Sequence, residues 1–267
     1  MTIALGILTK DAVVVGADTE QGWSYLKTSG TKVLAADGRG AIAVTGSGTS
    51  GYLQSLSQEL KSVFLANSTL TAKELEVPFK DCLATFFQLH IFPAVALSPP
   101  PYCDVVIGIE RNGERRLWAS TNEVLRECDQ YGVVGFGAEY AEGTLKKFLD
   151  PNVIDLNKVD VVIAQRLAAY AIFIAKESVK HCGMGTDIVS LEGGKATPID
   201  AGVLQILEYH FNSFLNLQFL GLQYAVGYPF KNDKKALEAL TRYFKSLQSS
   251  VGRLRGITTS SKPWSLE

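Results

Sequence analysis

Apolar and β-branched residues form short runs along the first part of the chain, and turn-forming residues separate these runs. Thr2-Thr9 and Ala12-Asp18 are divided by the polar turn TKD, and Thr31-Ala36 and Gly40-Thr45 by the turn DGRG. Short apolar runs bounded by Gly, Asn or Asp are typical of β-hairpins. The pattern therefore predicts two hairpins at the N-terminal end of the chain.

The spacing of apolar residues changes after the glycine-rich segment TGSGTSG at Thr45-Gly51. The following apolar residues recur at the three- and four-residue intervals of one helix face, namely Leu53, Leu56, Leu60, Val63 and Phe64. We predict a helix there and a second helix over Ala72-Phe92, ending before Pro93 because proline lacks the amide hydrogen that a helix interior needs.

The remainder of the core repeats the order of strands followed by helices. Strands are predicted at Asp104-Glu110, Arg115-Ser120, Tyr131-Gly135, Asp187-Leu191 and Lys195-Pro198, and helices at Glu139-Leu149 and Val159-Val179. Layered sheets with helices on both outer faces would bury these apolar surfaces. We therefore expect one α+β core domain over residues 1–199.

Residues 200–267 lie beyond this core, and their pattern predicts a helical extension. Its helices are predicted at Val203-Ala225 and Lys234-Gly252, separated by GYPFKND. The first is too apolar for a solvent-exposed helix, so it packs either on the same subunit or on neighbouring subunits. Tyr209-Phe230 is long enough to span a bilayer, but its Asn, Gln and His side chains favour burial in protein instead.

Charge and composition restrict the partners and cofactors that we expect. The chain has 26 basic and 27 acidic residues and a net charge of -1, which favours neither nucleic acid nor a membrane surface as a partner. Its 4 cysteines and 3 histidines lack metal-ligand spacing. The N-terminus has no signal-peptide pattern, because Lys10 and Asp11 bring charge too early. We expect a cytoplasmic protein with reduced thiols, no metal and no cofactor.

Thr2 carries the chemistry that the first hairpin suggests. Met followed by a small residue is the usual context for removal of the initiator Met, which would give Thr2 a free α-amine with a pKa of about 8. A hydroxyl on the same residue is then a nucleophile with its general base attached. The hairpin brings Asp18 back beside Thr2, and Lys32 supplies a positive charge that favours the neutral amine.

Four segments resemble the proteasome β subunit and the bacterial proteasome-like peptidases, which are N-terminal nucleophile hydrolases. They are TIALGILTKDAVVVGADTE, TKVLAADGRGAIAVTGSGTSG, YGVVGFGAEYAEGTLKKFL and KHCGMGTDIVSL, and the resemblance covers about residues 2–198. The resemblance implies a four-layer αββα sandwich in which the Thr2 hydroxyl attacks an amide carbonyl. In that scheme Lys32 lowers the pKa of the Thr2 amine, Asp18 pairs with Lys32, and the Gly46 N–H faces the oxyanion.

The same resemblance implies how such a subunit is used. It predicts a threonine-type peptidase subunit of a self-compartmentalising homo-oligomeric ring, with peptide or unfolded protein as substrate and an ATP-dependent unfoldase as a further partner. Two alternatives stay open at this point. One is a non-catalytic structural ring subunit of the same fold, and the other is an amidase that acts on a small molecule.

Three positions near the expected site depart from the family pattern. Phe136 stands where the family has a serine that polarises the amine. The alternative for Phe136 is that its ring simply packs in the core. Val179 falls where an Asp is expected, and Cys182 replaces the serine that follows it. Glu177 or Ser178 would substitute after a shift of the alignment, so Phe136, Ser178 and Cys182 are candidate supporting residues. The segment between Asp18 and Lys32 is also shorter than usual.

Overall fold

Two five-stranded antiparallel sheets form the centre of the protein. The computed structural model describes residues 2–23, 26–97, 100–152, 158–180 and 182–226, with a few positions between 234 and 245. The strand order of the first sheet is β10-β1-β2-β11-β12. Its strands are β1 (Ile3–Leu8), β2 (Val13–Asp18), β10 (Tyr131–Gly135), β11 (Thr186–Glu192) and β12 (Lys195–Pro198).

The second sheet has the strand order β5-β6-β7-β8-β9. Its strands are β5 (Leu34–Gly38), β6 (Gly40–Gly48), β7 (Cys103–Arg111), β8 (Glu114–Thr121) and β9 (Val124–Glu127). A separate hairpin of β3 (Glu20–Trp23) and β4 (Leu26–Ser29) follows the first sheet's β2. The predicted hairpins β1-β2 and β5-β6 are both present, with residue bounds shifted by a few positions.

The two sheets pack face to face through small and β-branched side chains. Val13, Val15 and Ala17 of β2 share one buried cluster with residues of β6, β7 and β8. Glycine permits the closest approach: a Cβ on Gly6 would lie 3.0 Å from Val106 Cγ1, and one on Gly108 would lie 2.7 Å from Val15 Cγ2. Side chains at these positions would force the sheets apart, because protein interiors have no spare volume.

Helices cover the outer face of each sheet. The second sheet packs its other face against α1 (Ser50–Ala66) and α2 (Glu76–Phe86) in a cluster that includes Leu56, Phe79 and Trp118. The first sheet is covered by α3 (Ala138–Phe148) and α4 (Val161–Ser178). The layers therefore run helices, sheet, sheet, helices, and the predicted α+β class is confirmed.

A buried arginine joins the second sheet to the end of α1. Arg111, the last residue of β7, is 1% exposed, and its guanidinium donates to the carbonyl oxygens of Phe64, Asn67 and Leu70 at 2.8–3.1 Å. The guanidinium carbon also lies 4.1 Å from the centre of the Phe64 ring. Cationic donors stabilise the free carbonyls at a helix C-terminus, so Arg111 fixes the position of α1 on the sheet.

Some predicted elements differ from the structure. The second helix does not run unbroken to Phe92: α2 ends at Phe86, a π-helical turn covers Phe87–Ile91, and a 3-10 turn at Phe92–Ala94 includes Pro93. Proline fits the first turn of that 3-10 segment, where its missing N–H is not needed. The short strands β3, β4 and β9 were not predicted.

The chain divides into two compact units, Met1–Ala201 and Gly202–Glu267. The described part of the second unit is mainly α5 (Ala201–Ala225), which corresponds to the predicted helix at Val203-Ala225. The helix predicted at Lys234-Gly252 lies almost wholly outside the described residues. Among the helices that are described, none has the length and apolar character needed to cross a membrane.

Candidate active site

Thr2 lies immediately before β1 and is 5% exposed. Its neighbour Ile3 pairs with Gly135 of β10, and Ala4 pairs with Ala17 of β2. The strand that directly follows Thr2 is therefore held between two other strands of the same sheet. This local geometry follows from the hairpin that the apolar pattern of the sequence predicts.

Asp18 is the buried centre of a hydrogen-bond network at the end of β2. Its Oδ1 accepts the Ile3 N–H at 3.1 Å and the Lys32 Nζ at 3.0 Å, and its Oδ2 accepts the Gly183 N–H at 3.0 Å. Its side chain is 0% exposed. A buried carboxylate needs such partners, because an unpaired charge in the interior is strongly destabilising.

Lys32 connects this carboxylate to the threonine hydroxyl. Its Nζ donates to Thr2 Oγ1 at 2.7 Å and to Asp18 Oδ1 at 3.0 Å, and its side chain is 6% exposed. Burial lowers the pKa of Lys32, while the charge of Asp18 and its hydrogen bond oppose that change. A cation held at hydrogen-bond distance from a hydroxyl stabilises negative charge as it develops on the oxygen.

Gly46 lies near the end of β6, where one side of the strand loses its partner. The β5-β6 ladder ends at the pair Leu34–Val44, whereas β6 remains paired with β7 as far as Gly48. Continued at the same register, the chain before β5 would place Lys32 opposite Gly46. A Cβ on Gly46 would clash with the Asp104 carbonyl oxygen and lie 2.7 Å from Leu53 Cδ1, so only glycine fits there.

The candidate supporting residues occupy different environments. Phe136 is 54% exposed, so the idea that it packs in the core is wrong. Ser178 is exposed at the last residue of α4, and Val179 follows that helix. Cys182 is buried, and its Sγ lies 3.2 Å from the position that a Cβ on Gly137 would occupy. Burial and the charge of Asp18 raise the pKa of Cys182 to about 11, which disfavours its thiolate.

The structure also brings in residues that the sequence did not single out. The Gly183 N–H holds the second oxygen of Asp18, and Asp187 accepts the backbone N–H of Lys32 at 3.4 Å. Thr19 binds the same loop twice: its N–H donates to the Gly185 carbonyl at 3.0 Å, and its hydroxyl accepts the Gly185 N–H at 2.9 Å. The segment before β11 therefore contacts the site through backbone groups, and residue types in the sequence do not predict such contacts.

Within the described ranges, no group of His, Cys, Asp and Glu side chains is arranged to hold a metal ion. The groups gathered at Thr2 are a hydroxyl, a lysine and a carboxylate. That set can activate a hydroxyl by proton transfer and electrostatics.

Three solved structures with TM-scores of 0.63–0.65 share this fold. The Anbu (Gly-1) mutant from Hyphomicrobium sp. strain MC1 has a TM-score of 0.65 and 14% identity, with 82% of this chain and 97% of that chain covered. Anbu (ancestral beta-subunit) from Yersinia bercovieri has a TM-score of 0.63 and 12% identity, covering 86% and 99%. A helical assembly of the Anbu complex from Pseudomonas aeruginosa gives 0.63 and 12%, covering 86% and 98%.

These comparisons correct the family assignment made from the motifs. No family model matches this chain, and no curated protein matches it. The similar structures are Anbu proteins at 12–14% identity, which establishes a shared fold alone. The identification as a proteasome β-subunit-like protein and bacterial proteasome homologue is therefore wrong. Short motifs placed in the expected order reflect a common backbone arrangement more readily than a common family.

Proposed function

We propose that this chain is an N-terminal threonine hydrolase that cleaves amide bonds in peptides after Met1 has been removed. The observation that carries the proposal is the buried contact of Lys32 Nζ with both Thr2 Oγ1 at 2.7 Å and Asp18 Oδ1 at 3.0 Å. The four-layer arrangement of sheets and helices supports it, because Thr2 at this contact directly precedes β1 of the first sheet.

In the proposed reaction, the Thr2 hydroxyl oxygen forms a bond to the substrate carbonyl carbon while the α-amine of Thr2 accepts the hydroxyl proton. The positive charge of Lys32 favours the neutral amine and stabilises the developing alkoxide. The Gly46 N–H would donate to the oxyanion. The C–N bond then breaks, the proton passes to the leaving amine, and water hydrolyses the threonine ester to restore the free hydroxyl.

The roles of the individual residues differ in this proposal. Thr2 supplies nucleophile and base, Lys32 supplies the positive charge, and Asp18 positions Lys32 through their buried ion pair. Burial and the charge of Asp18 raise the pKa of Cys182, so its thiol stays neutral and acts as a packing group beside the site. Phe136 and Ser178 are exposed and receive no role in proton transfer.

A structural subunit with an idle site is the second candidate. The specific observation in its favour is Phe136, which places an exposed phenyl ring between Gly135 and Gly137 where the motifs led us to expect a hydroxyl. A small-molecule amidase has no distinguishing observation. The buried ion pair of Asp18 and Lys32 favours the enzyme, because such a pair carries a desolvation cost that a purely structural core avoids with apolar residues.

Covalent labelling tests the proposed chemistry directly. A peptide epoxyketone reacts with a hydroxyl and an amine on the same residue, so it should modify Thr2 and no other site in the protein that lacks Met1. Intact mass first establishes that Met1 is gone, and peptide mass mapping locates the label. A variant that retains Met1 is the control and should not react. Label on another residue, or none on the processed protein, would contradict the mechanism.

We further propose that like subunits assemble into a homo-oligomer that encloses these sites. Exposed apolar side chains follow α2 at Leu89, Phe92, Val95 and Leu97. Apolar surface of this kind is uncommon on a protein that functions alone. An Anbu complex of similar fold forms a helical assembly, which supports association of like copies here. In this arrangement an ATP-dependent unfoldase would deliver unfolded protein to the enclosed sites.

Native mass spectrometry should show a discrete particle of many copies of the 29.0 kDa chain. Light scattering at micromolar concentration gives the particle mass in solution. A closed ring has one mass, whereas the mass of a helical assembly rises with concentration. Replacement of Leu89 and Leu97 by lysine should shift the distribution toward smaller species. A wild-type protein that remains a monomer under these conditions would rule out the assembly.

A further inference from the structure

Ser47 is a buried serine of the second sheet. It is 0% exposed and lies on β6, where it pairs with Asp104 of β7. Side chains alternate between the two faces of a strand, and Ala41 and Ala43 of the same strand belong to the cluster between the sheets. Ser47 therefore points toward the first sheet, which carries Thr2.

Gly135 brings the Ser47 hydroxyl to the backbone of Thr2. A Cβ on Gly135 would clash with the Thr2 carbonyl oxygen and would lie 2.9 Å from Ser47 Oγ. The φ of Gly135 is +101°, a conformation that residues with a Cβ rarely adopt. Since the α-amine of Thr2 is separated from its carbonyl oxygen by three covalent bonds, about 3 Å, the amine of the processed chain lies within the same small region.

The Ser47 hydroxyl has hydrogen-bonding capacity to spare. Among the described residues, no hydrogen bond of good geometry is formed by Ser47 Oγ. The serine therefore keeps its own proton free for an acceptor. A buried hydroxyl without a well-aligned partner is unusual and calls for such an acceptor.

We propose that Ser47 is a positioning residue of the threonine site, which donates a hydrogen bond to the α-amine nitrogen of Thr2. The inference rests on the proposed function, since it concerns the base of that reaction. Donation to the nitrogen lone pair stabilises the neutral amine, the form that accepts the hydroxyl proton. Lys32 contacts the hydroxyl of Thr2, and in this proposal Ser47 contacts its amine.

Titration of the Thr2 amine tests this without relying on hydrolysis. Ionisable groups near the site are contributed by several elements, namely Asp18, Glu20, Lys32, Tyr102, Asp104, Cys182 and Asp187. Ser47→Ala leaves all of them in place, so a shift reports the hydroxyl alone. The rate at which acetic anhydride acetylates the amine of the processed protein is measured against pH, with the N-terminal peptide followed by mass spectrometry.

We expect Ser47→Ala to raise the pKa of the Thr2 amine by about one unit, since a hydrogen bond of ordinary strength is removed from the neutral form. Ser47→Cys keeps the shape but offers only a weak donor, so it should raise the pKa by less. Thr45→Val is the matched control, because Thr45 has a buried hydroxyl without a well-aligned partner on the same strand and face. It should leave the titration unchanged.

An unchanged titration in Ser47→Ala, or an equal shift in Thr45→Val, would overturn the inference. If Ser47→Ala fails to fold, the direction of the shift in Ser47→Cys decides in its place. Failure of the proposed function looks different: the wild-type protein would then bind no epoxyketone and hydrolyse no peptide, whether or not the amine titration responds to Ser47.

Discussion

Thr2→Ala is expected to reduce peptide hydrolysis by on the order of 10³-fold or more, because it removes the atom that attacks the substrate. The change deletes one hydroxyl and one methyl group from a residue that is 5% exposed. Since Oγ1 accepts a hydrogen bond from Lys32, its loss also removes the group that the positive charge acts on. Turnover of a fluorogenic peptide measures the effect.

Two companion variants separate the chemistry from packing. Thr2→Ser keeps the nucleophile and should keep measurable turnover, whereas Thr2→Val keeps the volume and should be as inactive as Thr2→Ala. All three residues are small enough for Met1 to be removed, and intact mass verifies that removal. Hydrolysis at the wild-type rate in Thr2→Val would show that another group attacks the substrate.

Lys32→Met should both inactivate the protein and destabilise it. The substitution leaves the carboxylate of Asp18 buried without its cation, and removal of one partner from a buried ion pair costs about 3 kcal/mol or more. Two backbone N–H donors, from Ile3 and Gly183, remain on the carboxylate and limit the loss. Urea unfolding at equilibrium gives the free energy, and peptide turnover gives the activity.

A second substitution distinguishes the two effects of Lys32. In Lys32→Met with Asp18→Asn the buried charge is gone, so stability should recover in part while hydrolysis stays absent. Lys146→Met, which breaks the exposed pair with Glu142, should leave the free energy of unfolding unchanged within error. Equal stabilities of Lys32→Met and the wild type would mean that the ion pair contributes nothing to the fold.

The elements that the sequence predicted correctly are those whose pattern is local. The hairpin β1-β2 is encoded by two apolar runs and a turn, and it alone brings Asp18 next to Ile3. The strands β3 and β4 have four residues each, EQGW and LKTS, and show no alternation that would separate them from a loop. Pro93 was misread because a π-helical turn and a 3-10 turn accommodate it.

The candidate site was predictable to the extent that its side chains are chemically distinctive. Thr2, Asp18 and Lys32 were found by residue type, and the structure places them in contact. Ser47 and Gly183 could not be found in this way. Ser47 and the Thr2 carbonyl both lie next to Gly135 because one sheet packs on the other, and Gly183 contributes only a backbone N–H, which every residue except proline possesses.

The hydrogen bond from Gly183 to Asp18 spans 165 positions of the chain. A ribosome releases Thr2 and Asp18 early and Gly183 only after most of the protein has been made. Contacts between such distant residues form late in folding, because a long loop must close first. The carboxylate that holds Lys32 therefore gains its last backbone donor only when strands from both ends of the core have met, and under the proposed mechanism the site of Thr2 is complete only then.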